Sequence, residues 1–105
     1  MEYRCLGKTG FRVSVIGLGV EYIKTVTMHE ISKIFCRGFK EGINYVDLVW
    51  SHPHIIEGLK EAINKTGKTP VIAFHLGSCL HDGKYKRSRK PAECEVHLKK
   101  LLACL

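Results

Sequence analysis

The sequence predicts an α/β protein built on a parallel sheet, and three observations lead there. Short apolar runs of strand length alternate with segments of helical periodicity. Each helical segment carries its own start and stop residues. The apolar runs after the first glycine pair suit strands buried within a layered fold, not edges open to water.

The elements follow in order. Residues 1–14 read as a hairpin, with EYRCL and FRVSV as strands and GKTG supplying the turn glycines. VSVIGLG, closed by Gly17 and Gly19, is expected to be a strand buried on both faces. A helix then starts at Thr27, whose spacing to Glu30 makes a capping box. Ile31, Ile34 and Phe35 are its apolar face and Gly42 its stop. INYVDLV is the second buried strand. Pro53 opens the second helix, with Ile56, Leu59 and Ile63 inward and Gly67 at its end. PVIAFHLG is the third strand. SCLHDGKYKRSRK is read as loop, with room for a small hairpin around Asp82-Gly83. Pro91 opens a third helix, with Cys94, Leu98, Leu101 and Leu105 on one face.

A hairpin followed by three strand–helix units implies a parallel sheet with right-handed crossovers. Two layouts fit: an open doubly wound sheet and an arc of a (β/α) barrel. The third helix reaches Leu105 with its apolar stripe still running, so the chain is expected to be interrupted and not finished.

Composition narrows the class. At 105 residues with 45% hydrophobic content, one modest globular core is allowed and a disordered chain is excluded. No apolar run approaches the ~18 residues that span a bilayer. The start, MEYRCLGKTG, lacks the apolar centre of a secretory signal, so a cytoplasmic protein with five free thiols is expected. The net charge of +7 is concentrated in KYKRSRK at residues 84–90. Only Tyr85 interleaves an aromatic there, and no nucleic-acid-binding motif accompanies it, so nucleic acid is not the expected partner.

Candidate chemistry lies at the C-terminal ends of the strands, at Gly19, Asp47 and His75. These ends share one rim in parallel sheets, the rim where ligands bind. An aspartate and a histidine there can hold or pass a proton. An aspartate at a strand end also caps helices, and a histidine there also serves as a hydrogen-bonded core residue. Ser51 and His52 follow Asp47 within reach of the rim. His52, His54, His75, Cys79 and His81 match no closed zinc spacing, so no metal site is expected. Gly17-Leu-Gly19 lacks the third glycine of a dinucleotide fingerprint.

Several stretches are similar to one family. EYRCLGKTGFRVSVIGLG at residues 2–19 resembles the N-terminal signature of the aldo-keto reductases, a variant of YRxLGxTGxxVSxxGxG. GINYVD at 42–47 resembles the segment ending in that family's catalytic aspartate. VIAFHLGS at 71–78 falls where the third barrel strand belongs, and HLKKLL at 97–102 resembles the helix before the fourth. The resemblance spans essentially the whole chain. It implies the N-terminal part of a (β/α)8 TIM barrel, truncated, with residues 1–105 as a single partial domain: a hairpin floor at 1–14 and three β/α units at 15–105. A complete barrel of this kind has about 250 residues.

The resemblance also implies an oxidoreductase that transfers a hydride between NADPH or NADH and a small-molecule carbonyl substrate. Asp47 falls on the catalytic aspartate and, with Gly19, beside the cofactor. The family tyrosine position holds His52, the family lysine position holds His75, and the family histidine lies in a fourth strand beyond this sequence. His52 or His75 is therefore expected to handle the proton, with Trp50 and Ser51 walling the substrate pocket. Ser51-His-Pro53 and His75-Leu-Gly-Ser78 resemble a divergent bacterial and archaeal branch, some of whose members carry a C-terminal ferredoxin-like domain. Any iron–sulfur cluster would belong to such a domain. Three outcomes are expected of such an arc: an N-terminal piece inactive alone, a barrel completed by self-association or a second chain, or a non-enzymatic half-barrel that uses residues 84–90 on a polyanion or partner.

Overall fold

The computed structural model describes residues 1–23, 25–49, 52–81 and 84–105. Among them the chain runs β1 (Tyr3–Cys5), β2 (Arg12–Ser14), β3 (Leu18–Gly19), α1 (Met28–Lys40), β4 (Tyr45–Leu48), α2 (Pro53–Thr66), β5 (Val71–Phe74), β6 (Ser78–His81), β7 (Lys84–Arg87) and α3 (Pro91–Cys104). No helix is long and apolar enough to cross a membrane among the described residues.

The N-terminal hairpin forms as its sequence dictates. β1 and β2 pair antiparallel, Tyr3 opposite Ser14, and the turn places Gly7 and Gly10 at φ of 53° and 80°, where a side chain would be strained. β3, β4 and β5 make a parallel sheet in sequence order, with Gly19 opposite Asp47 and Asp47 opposite Ala73.

Side-chain alternation sends Val46 and Leu48 of β4 to one face, where α1 and α2 cover them. Ile31, Phe35 and Phe39 from α1 and Ile55, Ile56, Leu59 and Ala62 from α2 complete that core, and Phe35 stacks on Phe39 with ring centroids 6.0 Å apart. Both helices thus lie on the same face of the sheet. That departs from the doubly wound layout, which puts helices on both faces. Tyr45 and Asp47 point to the other face, which no helix covers among the described residues.

The hairpin is fastened to the N-terminal end of the parallel strands. Ser14 N–H donates to Asn44 Oδ1 at 2.7 Å, Asn44 N–H donates to Ser14 Oγ at 3.1 Å, and the Tyr3 hydroxyl donates to the Gly42 carbonyl at 2.8 Å. Asn44, just ahead of β4, thereby ties the floor to the sheet.

Helix punctuation follows the sequence. Thr27 and Glu30 form the capping box, Pro53 and Pro91 occupy first turns, and Gly67 closes α2 at φ 64°. Three expectations need correcting. VSVIGLG is not a strand buried on both faces: β3 holds only Leu18 and Gly19, and Val15 and Ile16 are 46% and 57% exposed. The hydrogen bond from Val15 N–H to the Glu2 carbonyl carries the chain on with the hairpin before it turns into the sheet. Ile34 is exposed, because the buried line of α1 follows Ile31, Phe35, Gly38 and Phe39. α3 buries only Leu101 of its expected stripe, and Leu105 is exposed. The basic segment, read as loop with room for a small hairpin, takes the paired form, an antiparallel ribbon of β6 against β7 with His81 opposite Lys84. Asp82 and Gly83 lie outside the described residues.

Candidate active site

Parallel pairing brings the site residues together by register. β4 and β5 run side by side, so Asp47 sits opposite Ala73, and His75 follows one step beyond β5 on the face that Val71 and Ala73 share. His75 Nε2 lies 2.8 Å from Asp47 Oδ1. Among the described residues no aligned hydrogen bond reaches Oδ1, which is itself shielded from water, so the contact is an ion pair whenever the imidazole is protonated. The two side chains remain 47% and 43% open, so solvent and small molecules reach the pair.

Gly19 is the neighbour of Asp47 on the other side, through the β3–β4 register. An added Cβ at Gly19 would meet nothing within 4 Å, so the backbone there presents an open shelf beside the carboxylate. Gly19, Gly17, Tyr45 and Asp47 line a depression of about 350 Å³ whose remaining wall comes from Leu6 and the β2 end of the hairpin.

His52 lies at the N-cap of α2, where its carbonyl accepts hydrogen bonds from the N–H groups of Ile55 and Ile56 at 3.0 and 3.1 Å. Its ring packs against His54 with centroids 4.2 Å apart. The structure therefore joins Asp47 to His75, and His52 to His54. Trp50 and Ser51 lie outside the described residues.

One feature of this rim escaped the sequence reading. The β6/β7 ribbon is rooted next to His75: Ser78 N–H donates to the His75 carbonyl, and Ser88 N–H donates to the Gly77 carbonyl, both at 2.9 Å. Tyr85 Oη lies 3.2 Å from Ser78 Oγ and accepts from Arg87 Nε at 2.9 Å. The hydrogen bond with Ser78 and then the Arg87 guanidinium hold the Tyr85 phenol below its ordinary range, against partial desolvation. The KYKR alternation, which sets Tyr85 and Arg87 two residues apart on one strand face, was the available signal.

The fold and rim together define a singly wound α/β arc with a carboxylate–imidazole pair at its strand ends. Among solved structures, the chain is similar to a crystal structure from Pseudomonas aeruginosa, of a protein provisionally described as an aldo-keto reductase, with a TM-score of 0.77 and 24% identity. The match covers 98% of this chain and 42% of that one, so this chain spans well under half of that protein's length. At that identity the likeness is one of fold. No protein-family model matches the chain, and no curated protein is similar enough to match.

Proposed function

We propose that residues 1–105 are one partial domain, an arc of a (β/α)8 barrel of aldo-keto reductase type, and that the completed barrel reduces a carbonyl substrate with NADPH or NADH. One observation carries this reading. Asp47 and His75 meet at 2.8 Å on the ends of neighbouring parallel strands, on the face that α1 and α2 leave open. Strand ends are where parallel α/β folds place reacting groups.

The rim has room for the reactive end of such a cofactor. Gly19 has open space where a side chain would stand, and the depression beside it reaches Asp47. Bound there, a reduced nicotinamide would supply the hydride. Gly19 would seat the planar ring, and Asp47 would fix its approach and polarise the neighbouring imidazole. His75, whose side chain is half open to solvent, would hold the proton on the Nε2 that Asp47 faces. General acid–base groups of this kind contribute about 10²–10⁴-fold in rate.

The test is Asp47→Asn in the protein that completes the barrel, assayed for carbonyl reduction by nicotinamide absorbance. A fall of about 100-fold or more in kcat/KM is expected. A rate equal to wild type would remove Asp47 from the mechanism. Thermal unfolding with saturating NADPH gives a second readout: a cofactor at 100 times its dissociation constant stabilises by about 2.7 kcal/mol.

A further inference from the structure

The basic ribbon is held at a fixed distance from the Asp47–His75 pair by hydrogen bonds. Ser78 N–H donates to the His75 carbonyl at 2.9 Å, closing a turn whose end Cα atoms lie within about 7 Å of each other. Ser78 opens β6 and stands opposite Arg87 of β7. The bond from Ser88 N–H to the Gly77 carbonyl, at 2.9 Å, makes Ser78 and Arg87 a non-hydrogen-bonded pair, with Cα atoms about 4.5 Å apart and side chains at their closest. The Arg87 backbone is therefore within roughly 12 Å of His75, whichever way the ribbon points. An arginine side chain is long enough to bring its charge within the screening length of about 8–10 Å in ordinary salt.

Arg87 is exposed, and it gives Tyr85 only its Nε–H, at 2.9 Å. Its Nη groups have no partner among the described residues. Lys90 is matched by Glu93 at 3.3 Å, while the exposed Lys84 and Arg89 add to the positive field. Asp47, beyond His75, repels anions unless the imidazole is charged. A small anion at this rim thus has one favourable orientation, with its charged end toward the ribbon.

We infer that the carbonyl substrate of the reduction proposed above is a small oxo acid, its carbonyl at the Asp47–His75 pair and its carboxylate held by the Nη groups of Arg87. The inference rests on that reading and adds to it the class of substrate. A planar guanidinium presents paired N–H groups that match a carboxylate in two parallel hydrogen bonds. A neutral carbonyl compound gains nothing from the ribbon, so the charge selects between substrates of the same shape.

The test compares 4-carboxybenzaldehyde with its neutral methyl ester in the protein that completes the barrel, read by nicotinamide absorbance. The acid should be preferred in kcat/KM by about 10-fold or more, as one charged hydrogen bond allows. That preference should shrink between about 0.01 M and about 1 M salt, where the screening length falls from ~30 Å to ~3 Å. Arg87→Gln should abolish most of it through a higher KM for the acid, and Arg87→Lys should keep part of it. Lys68→Gln, the same change of charge ahead of β5 at the other end of the sheet, should leave the preference intact. Equal rates for acid and ester overturn the inference and leave the reductase reading standing. A preference that survives Arg87→Gln, or that salt does not reduce, also overturns it. A protein that reduces neither compound overturns both.

Discussion

At the residue scale, Thr27 and Glu30 show how little sequence is needed to start a helix. The Thr27 hydroxyl donates to Glu30 Oε2 at 2.7 Å, Thr27 N–H donates to the same oxygen at 3.2 Å, and Glu30 N–H returns a bond to Thr27 Oγ1 at 3.3 Å. Thr27→Ala should cost about 1 kcal/mol in urea denaturation. The hydroxyl and then the amide hold the Glu30 carboxyl below the usual carboxylate range. A depressed folded-state value means that this contribution is fully present above the ordinary carboxylate range. It fades as pH falls through the lower, folded-state value. Glu30→Gln should therefore flatten the acid side of the stability profile, and an unchanged profile would mean the box is frayed in solution. Both residues were legible because a cap is local. Asp47 and His75 were legible for a related reason, each standing out in an apolar strand. Tyr85 was hidden among lysines and arginines, and its partners became visible only through the pairing of β6 with β7.

At the element scale, the packing of α1 on α2 depends on one small residue. A Cβ at Gly58 would lie 2.7 Å from Ile31 Cγ2 and 2.9 Å from the Met28 carbonyl oxygen, so the helices meet where α2 has no side chain. Gly58→Ala should destabilise by about 1–3 kcal/mol, read from the urea midpoint, despite its better helix propensity. A gain in stability would mean that the helices part more easily than the packing implies. Gly19→Ala is the contrast. With nothing within 4 Å of its Cβ, the folded state should tolerate it, while any binding over that shelf weakens. Helix positions were legible from caps and period, yet Ile34 and the α3 stripe were not. Which side of an amphipathic face becomes core depends on where the sheet and the neighbouring helix stand. α3 meets the rest of the chain chiefly through Leu101, across a groove of about 560 Å³ shared with Pro53 and Ile56 of α2.

At the scale of the whole molecule, the sheet has a covered face and an open one. Its outer strands, β3 and β5, have no partners on their far edges among the described residues. Unpaired parallel edges and exposed Val15 and Ile16 invite more strands. We expect the chain to associate with a second copy or a complementary chain, and sedimentation should show a mass that rises with concentration. A constant monomer mass with cooperative unfolding would show that the arc is self-sufficient. That the sheet is parallel was legible from the alternation of strands and helices, whereas its order came with the pairing. An open face followed only from the resemblance to a barrel arc, because apolar runs by themselves do not declare which of their two sides a helix will take.

The latch between Ser14 and Asn44 has a consequence for traffic. It shuts the lower end of the open face with the hairpin, whose residues wall the depression under Asp47. A ligand held over Gly19 and Asp47 would therefore meet the hairpin as the end wall of its cradle, while the uncovered face stays open beside it. The strongly basic ribbon is rooted beside His75, so an anionic visitor to that open cradle would meet an attractive field close to the carboxylate.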